Sequence, residues 1–361
     1  MGNMKSIIDR ALEGHRETDV ENPEEQGIPM GSDDELRKLV ETLRVNISIM
    51  GCGGGGSNTI RRINEAGIVG ATLVAANSDA KHLLSIQVPN KILLGRTTTR
   101  GLGAGAQPDV GRRATDEARG DVLRFVQNHD IVFITAGMGG GTGTGSAPYV
   151  AELAKRTSKL VMGIVTLPFR AEGKMRRDNA LKGLDLMREF CDTTIVVEND
   201  KLLELVPKLP IEAAFRVADE VLMQSIKGIT EIITKPALVN VDFNDMMTIM
   251  ENGGVAMIGI GESDSSSGRV DEAVAEAMSS PLLGDIDATS ARGALIRVIG
   301  GPDMTVSEAE KAARLIGESI NPMARIIWGC AVEPEAEGTI KVLVVITGVK
   351  SPQFLDGGVK L

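Results

Sequence analysis

Glycine most constrains what this chain can fold into: of 42 glycines in 361 residues, many are clustered where an apolar run ends and a helical pattern begins. Gly51-Cys52-Gly53-Gly54-Gly55-Gly56-Ser57-Asn58 follows the run 45–50. Gly137-Met138-Gly139-Gly140-Gly141-Thr142-Gly143-Thr144-Gly145-Ser146 follows 131–135, and Arg100-Gly101-Leu102-Gly103-Ala104-Gly105-Ala106 follows 91–94. Without a Cβ, backbone N–H groups can come close to an anion, and a helix starting at once adds the positive end of its dipole. A single glycine loop reads equally well as a flexible connection. Three at strand ends predict a cradle for several phosphates, the third placed to close over the terminal one.

The rest of the chain supplies the scaffold. Strand-like runs at 45–50, 71–76, 91–94, 131–135, 160–165 and 194–197 alternate with helical stretches, which predicts a parallel sheet covered by helices on both faces. Residues 211–233 keep helical spacing with Gly228 as their one interruption and predict a long central helix. Beyond Pro236 a helix near 244–250 and runs at 254–260, 294–299, 325–328 and 339–347 predict a second, smaller mixed α/β domain. Before all of this, residues 1–31 are polar and acidic and read as an extension. Ser32 and Glu35 form a capping box that opens a short leading helix carrying Leu36, Leu39, Val40 and Leu43.

Composition excludes several functions. A net charge of -10 and only 2% aromatic residues oppose nucleic-acid binding, which needs phosphate neutralisation or stacking platforms. Three dispersed cysteines and three dispersed histidines form no metal site by spacing, so a metal is expected to arrive with a ligand. No apolar run is long enough to span a membrane and no secretory h-region opens the chain, so direct membrane insertion is not expected and a cytoplasmic location is.

Gly51, Gly53 and Gly56 also satisfy the dinucleotide fingerprint G-x-G-x-x-G, which makes an oxidoreductase the rival reading. Two features oppose it. The second strand ends in Asn77-Ser78-Asp79, which places the acidic residue late, and a dinucleotide has no use for the second glycine loop. The Walker pattern is absent as well, so a triphosphate here would be held by backbone dipoles, threonine hydroxyls and Mg²⁺.

The run Gly139-Gly140-Gly141-Thr142-Gly143-Thr144-Gly145 resembles the phosphate loop of the tubulin/FtsZ family. The resemblance extends over about residues 45–350 through the first glycine loop, Gly101 to Ala106, Pro168-Phe169, Glu172-Gly173-Lys174-Met175-Arg176, Asn199-Asp200 and Asn240-Val241-Asp242-Phe243-Asn244-Asp245; the archaeal branch is the most similar. It implies a GTP/GDP site with Mg²⁺ accompanying the nucleotide. Phosphate contacts would come from Gly54, Gly55, Gly56, Ser57, Asn58 and the run from Gly139 to Gly145, with Asn77, Ala104, Gly105 and Ala106 also at the nucleotide. Glu172 would meet the ribose, Arg176 would lie beside the nucleotide, and Asn199, Phe215 and Asp219 would hold guanine. The residues alone leave alternatives: Glu172 and Arg176, four apart, also read as a surface helix pair, and Phe215 as core. Ser78 stands where the family often has Thr, and Glu198 where Pro commonly precedes Asn-Asp.

Hydrolysis needs a positioned water, and the glycine loops carry no residue to orient it. Asp242 and Asp245 read locally as an N-cap and an acidic first helical turn. The resemblance implies instead that Asn240, Asp242 and Asp245 enter the nucleotide site of the next subunit and polarise the attacking water. Head-to-tail filaments, assembly-dependent GTP turnover and a role as scaffold of a division ring follow from it, with adaptor or membrane-tether proteins as partners at the inner face of the membrane. The implied domains are 44–210 for GTP binding, 211–235 as linking helix and 236–350 for activation, flanked by 1–43 and a short tail, 351–361.

Overall fold

The computed structural model describes residues 45–205, 210–234, 241–284 and 286–349; the expected leading helix, Asn240 and the tail lie outside them. Ten strands form one sheet in the order β3-β2-β1-β4-β5-β6-β7-β10-β8-β9. The first six are β1 (Ile47–Cys52), β2 (Ala71–Asn77), β3 (Asn90–Leu93), β4 (Ile131–Gly137), β5 (Leu160–Leu167) and β6 (Thr193–Glu198), all parallel. β7 (Gly254–Ser263), β8 (Gly293–Gly300), β9 (Arg325–Val332) and β10 (Ile340–Thr347) form a mixed half, with β10 antiparallel to both β7 and β8. A three-residue parallel pairing of β6 with β7 joins the halves.

Helices cover both faces, as the near-continuous apolar character of the strands requires. They are α1 (Gly53–Glu65), α2 (Ala80–Ser85), α3 (Pro108–Glu117), α4 (Arg119–Val126), α5 (Thr142–Ala154) and α6 (Lys174–Phe190). α7 (Asn199–Leu205), α8 (Ile211–Thr234), α9 (Phe243–Met250), α10 (Arg269–Met278) and α11 (Val306–Ser319) complete the set. Alternate strand residues feed two cores. Met50, Val74 and Ile134 pack with residues of α3 to α6, while Ile49, Leu73 and Phe133 pack under α1 and α8. Among the described residues no helix is long and apolar enough to cross a membrane.

At two of the glycine segments the strands run further than the sequence reading placed them. β1 runs on through Gly51 and Cys52, and β4 through Gly137, because ladders with neighbouring strands pair these residues despite their weak strand propensity. The stretch Gly53 to Asn58 is accordingly the opening of α1 rather than a loop.

α8 ties the two halves of the sheet together. Arg297 of β8 donates to the Glu231 carboxylate at 2.6 Å and to the Gly228 carbonyl at 2.9 Å, both on α8. Arg297 and Glu231 are buried, so this is a desolvated ion pair held by a backbone acceptor as well.

Candidate functional site

A cavity of about 400 Å³ opens at the C-terminal ends of β1, β4, β5 and β6, the edge at which ligands bind open α/β sheets. Its floor is built from the N-termini of α1 and α5. Neither helix has a side-chain N-cap or an acidic residue in its first turn, so their first N–H groups remain available to an anion. Glycine is needed because backbone meets backbone here. A Cβ on Gly53, whose φ is +72°, would lie 2.7 Å from the Gly143 nitrogen, and one on Gly141 would lie 2.4 Å from the Gly105 oxygen.

Hydrogen bonds pin these segments to one another. The Gly141 N–H donates to the Gly105 carbonyl at 2.7 Å, which anchors the third glycine loop. The hydroxyls of Ser78 and Thr142 lie 2.6 Å apart and join the end of β2 to the start of α5. Ser78 thus places a hydroxyl oxygen at the start of α5.

Of the residues expected in the site, Gly54, Gly55, Asn58, Gly105, Gly140, Gly141, Thr142 and Gly143 line the glycine-rich end. Glu172, Arg176, Asn199, Phe215 and Asp219 line the remainder. Gly56, Ser57, Asn77, Ala104, Ala106, Gly139, Thr144 and Gly145 form the layer behind it. A Cβ on Gly56 would meet the Thr135 oxygen at 2.3 Å and one on Gly145 the Pro108 oxygen at 2.0 Å, so these two glycines let helices lie close on their supports. Thr144 accepts the Gly139 N–H at 2.8 Å and shapes the turn, and the Ala106 carbonyl accepts from Asn179 at 3.1 Å. Ser57, Asn77 and Ala104 are buried.

Gly137, Met138, Thr166, Pro168 and Ala218 also line the cavity. Thr166 and Ala218 carried no sequence signal. Register brings Thr166 opposite Gly137, and Ala218 arrives with its neighbour Asp219 on α8.

The far end has the character of a base pocket. Phe215 is 42% exposed and meets Phe169 edge-on at 5.0 Å between centroids, so it is a cavity wall and not core. Among the described residues the buried Asn199 Oδ1 has no hydrogen-bond partner. Burial pushes the Asp219 carboxyl up to about 6, against the pull of Arg62 and Arg61. A ring face, an orphan carbonyl and a desolvated carboxylate suit a planar base that offers N–H donors. Guanine, with N1–H and a 2-amino group, presents them; adenine has an acceptor at N1. On the cavity wall, Arg176 donates to Glu172 at 2.6 Å while Glu172 also accepts the Phe169 N–H at 3.0 Å. The helix pair therefore forms, and it forms on the cavity wall. Cys52 is buried, with its thiol pushed up to about 12, so it holds no thiolate.

Asp242 and Asp245 lie elsewhere. Asp242 caps α9, its carboxylate accepting the Asn244 N–H at 3.2 Å, and both side chains are exposed. α9 sits at the opposite edge of the sheet: the Lys159 Nζ, just before β5, is 5.7 Å from the Phe243 ring centroid, and Thr193 at the start of β6 donates to the Met250 carbonyl at 2.5 Å. The length of β5, eight residues, separates the two edges by about 25 Å. α8 gives a similar span, because Asp219 lines the cavity while Thr234 bonds to Val69 ahead of β2, about 22 Å along a helix.

The family model for the tubulin/FtsZ GTPase domain matches residues 46–207, and that for the FtsZ C-terminal domain matches residues 254–350. Cell division protein FtsZ 1 of Archaeoglobus fulgidus is 49% identical over 352 residues, which cover 98% of this chain and 95% of that protein. Cell division protein FtsZ of Haloferax mediterranei is 53% identical over 323 residues, covering 90% and 85%. The solved structure of an empty FtsZ dimer from M. jannaschii superposes with a TM-score of 0.84 at 46% identity, covering 91% of this chain and 99% of that one. CetZ2 from Haloferax volcanii, at 21% identity and a TM-score of 0.72, shares the fold. With both family models matched in order along one sheet, and the glycine segments of the cavity inside the first of them, the chain belongs to the tubulin/FtsZ family, as a GTPase of its FtsZ branch.

Proposed function

We propose that this chain binds GTP in the cavity at the strand ends and hydrolyses it only after a second subunit, stacked head to tail, brings Asp242 and Asp245 to the terminal phosphate. The observation that carries this reading is the separation just described. The carboxylates and the phosphate cradle occupy opposite edges of one sheet, about 25 Å apart, farther than any side chain reaches. A translation along the strand direction brings the lower edge of one copy onto the upper edge of the next. Such a heterologous contact repeats without closing and yields a filament.

Within the cavity, the first N–H groups of α1 and α5 would bind the phosphates, with the third glycine loop over the terminal one. Glu172 and Arg176 would meet the ribose region, and Asn199 and Asp219 would accept from guanine while Phe215 covers its face. Among the described residues no three His, Cys, Asp or Glu side chains converge as metal ligands. Mg²⁺ would therefore be held chiefly by the phosphate oxygens, with Thr142 and its neighbours offering hard oxygens beside them, and would supply charge neutralisation. The exposed Asp242 and Asp245 would orient and polarise the attacking water. In the division setting named for the relatives, the filament would act as a scaffold at the inner face of the membrane, held there by adaptor or tether proteins.

GTP hydrolysis per subunit, measured with Mg²⁺ over a series of protein concentrations and followed by light scattering in the same samples, tests the reading. Specific activity that rises above a threshold together with scattering supports a shared site. Activity constant on dilution would assign the whole site to one subunit and remove the role given to Asp242 and Asp245.

A further inference from the structure

We infer that His82 is a positioning residue, which turns the Asn58 amide so that its NH₂ faces the bound nucleotide, and that Asn77 acts through it. The inference rests on the reading of the cavity as the guanine-nucleotide site.

The argument starts from a group whose polarity is unambiguous. The Asp79 backbone N–H can only donate, and it donates to Asn77 Oδ1 at 3.3 Å, which identifies that terminus of the Asn77 amide as oxygen. The other terminus, Nδ2, is then a donor, and it faces His82 Nδ1 at 3.1 Å. Nδ1 must accept, so the neutral ring carries its proton on Nε2. Nε2 lies 3.2 Å from Asn58 Oδ1 and donates to it. Asn58 is left with its two N–H donors directed away from the ring, and Asn58 lines the cavity beside Gly54 and Gly55.

The direction of this chain matters because the ligand is rich in oxygen. An NH₂ at the first turns of α1 adds two donors to those of the backbone; the reversed amide would point a carbonyl oxygen at phosphate or ribose oxygens. The ring itself is held by backbone, since Asp79 caps α2 by accepting the His82 N–H at 3.0 Å. Asp79 thus anchors both Asn77 and His82. Asn77, buried and outside the cavity lining, is accounted for by this role.

Calorimetric titration of GDP into the full-length chain tests the proposal with four proteins beside the wild type's own binding. His82→Ala is expected to weaken GDP about five- to tenfold, the worth of one hydrogen bond that orients a second. His82→Gln, which offers one acceptor and one donor, should stay within about twofold of wild type. Asn58→Ala should lose about tenfold, and adding His82→Ala to it should change affinity by no more than about twofold, because the relay then has nothing to orient. Wild-type affinity in His82→Ala, a loss that persists undiminished in the Asn58→Ala background, or a folded His82→Gln no better than His82→Ala would each overturn the proposal. If His82→Ala fails to fold, His82→Gln against His82→Met, similar in size but without N–H groups, makes the same comparison. A wild type that does not bind GDP would instead overturn the reading of the cavity.

Discussion

With Asp219 as the proposed guanine contact, its desolvated carboxylate should make guanine binding depend on pH in a calculable way. Burial raises its pKa from 3.8 to about 6, so the free protein holds a proton there in mildly acid solution. Guanine N–H donors favour the ionised form, and binding must expel that proton. Affinity therefore climbs as pH rises to about 6 and levels off once the free carboxyl is ionised by itself. A group with a pKa near 6 is about nine-tenths ionised at pH 7 and about one-tenth at pH 5, so GDP should bind about tenfold more weakly at pH 5, a difference of about 1.4 kcal/mol. Calorimetric titrations between pH 5 and 7 would measure this, with Asp219→Asn run in parallel because the phosphates of GDP also titrate in this range. The variant should bind more weakly at pH 7 and show a slope smaller by about one decade across the range. Equal slopes for the two proteins would refute the reasoning and remove Asp219 from the base pocket.

Asp245→Ala should lower GTP turnover in assembled protein by at least about 100-fold, as for loss of a group that activates water, while GDP affinity stays within about twofold because the residue is about 25 Å from the cavity. A parallel fall in GDP affinity would contradict the separation of the two edges. Phe215→Ala should weaken GDP by about tenfold through lost base stacking. Its urea midpoint should stay near wild type, since the ring is 42% exposed; a large loss of stability would return Phe215 to the core. Arg297→Met leaves the Glu231 carboxylate buried without its guanidinium and should destabilise the fold by about 3–5 kcal/mol in urea denaturation. Adding Glu231→Gln should recover part of that, and no recovery would mean that Arg297 acts through packing alone.

Most of the fold was legible because its signals are local. The runs at 71–76, 160–165 and 339–347 correspond to β2, β5 and β10, and 211–233 to α8, because periodicity and β-branched composition report burial directly. Strand ends at Gly51, Cys52 and Gly137 were not legible, since their extended state comes from pairing on both sides and not from their own preference. In the site, the glycines could be named because they are the residue type that lets two backbones touch. Whether each faces the cavity or the layer behind, as Gly55 and Gly56 do respectively, depends on which side of α1 it occupies once the helix is docked. Phe215 was undecided between core and wall at the level of spacing, and its exposure beside Phe169 resolved it.

The sequence by itself determined the chemistry available: three glycine clusters at strand ends and two acidic residues with no partner motif nearby, while the aromatic, amide and carboxylate for a base were implied by the family resemblance. These are properties of residue type and order, so no folding is needed to see them. Only the tertiary structure decided where those residues lie relative to one another. Parallel strands put every strand-end loop on one edge and α9 on the other, which separates Asp242 and Asp245 from the cradle by the length of β5. Crossing segments brought Thr166 to the cavity wall and His82 between Asn77 and Asn58, contacts between residues whose spacing along the chain carries no trace of them. Distance in space is set by sheet order and register, and these are settled by packing of the whole chain rather than by any local stretch of it.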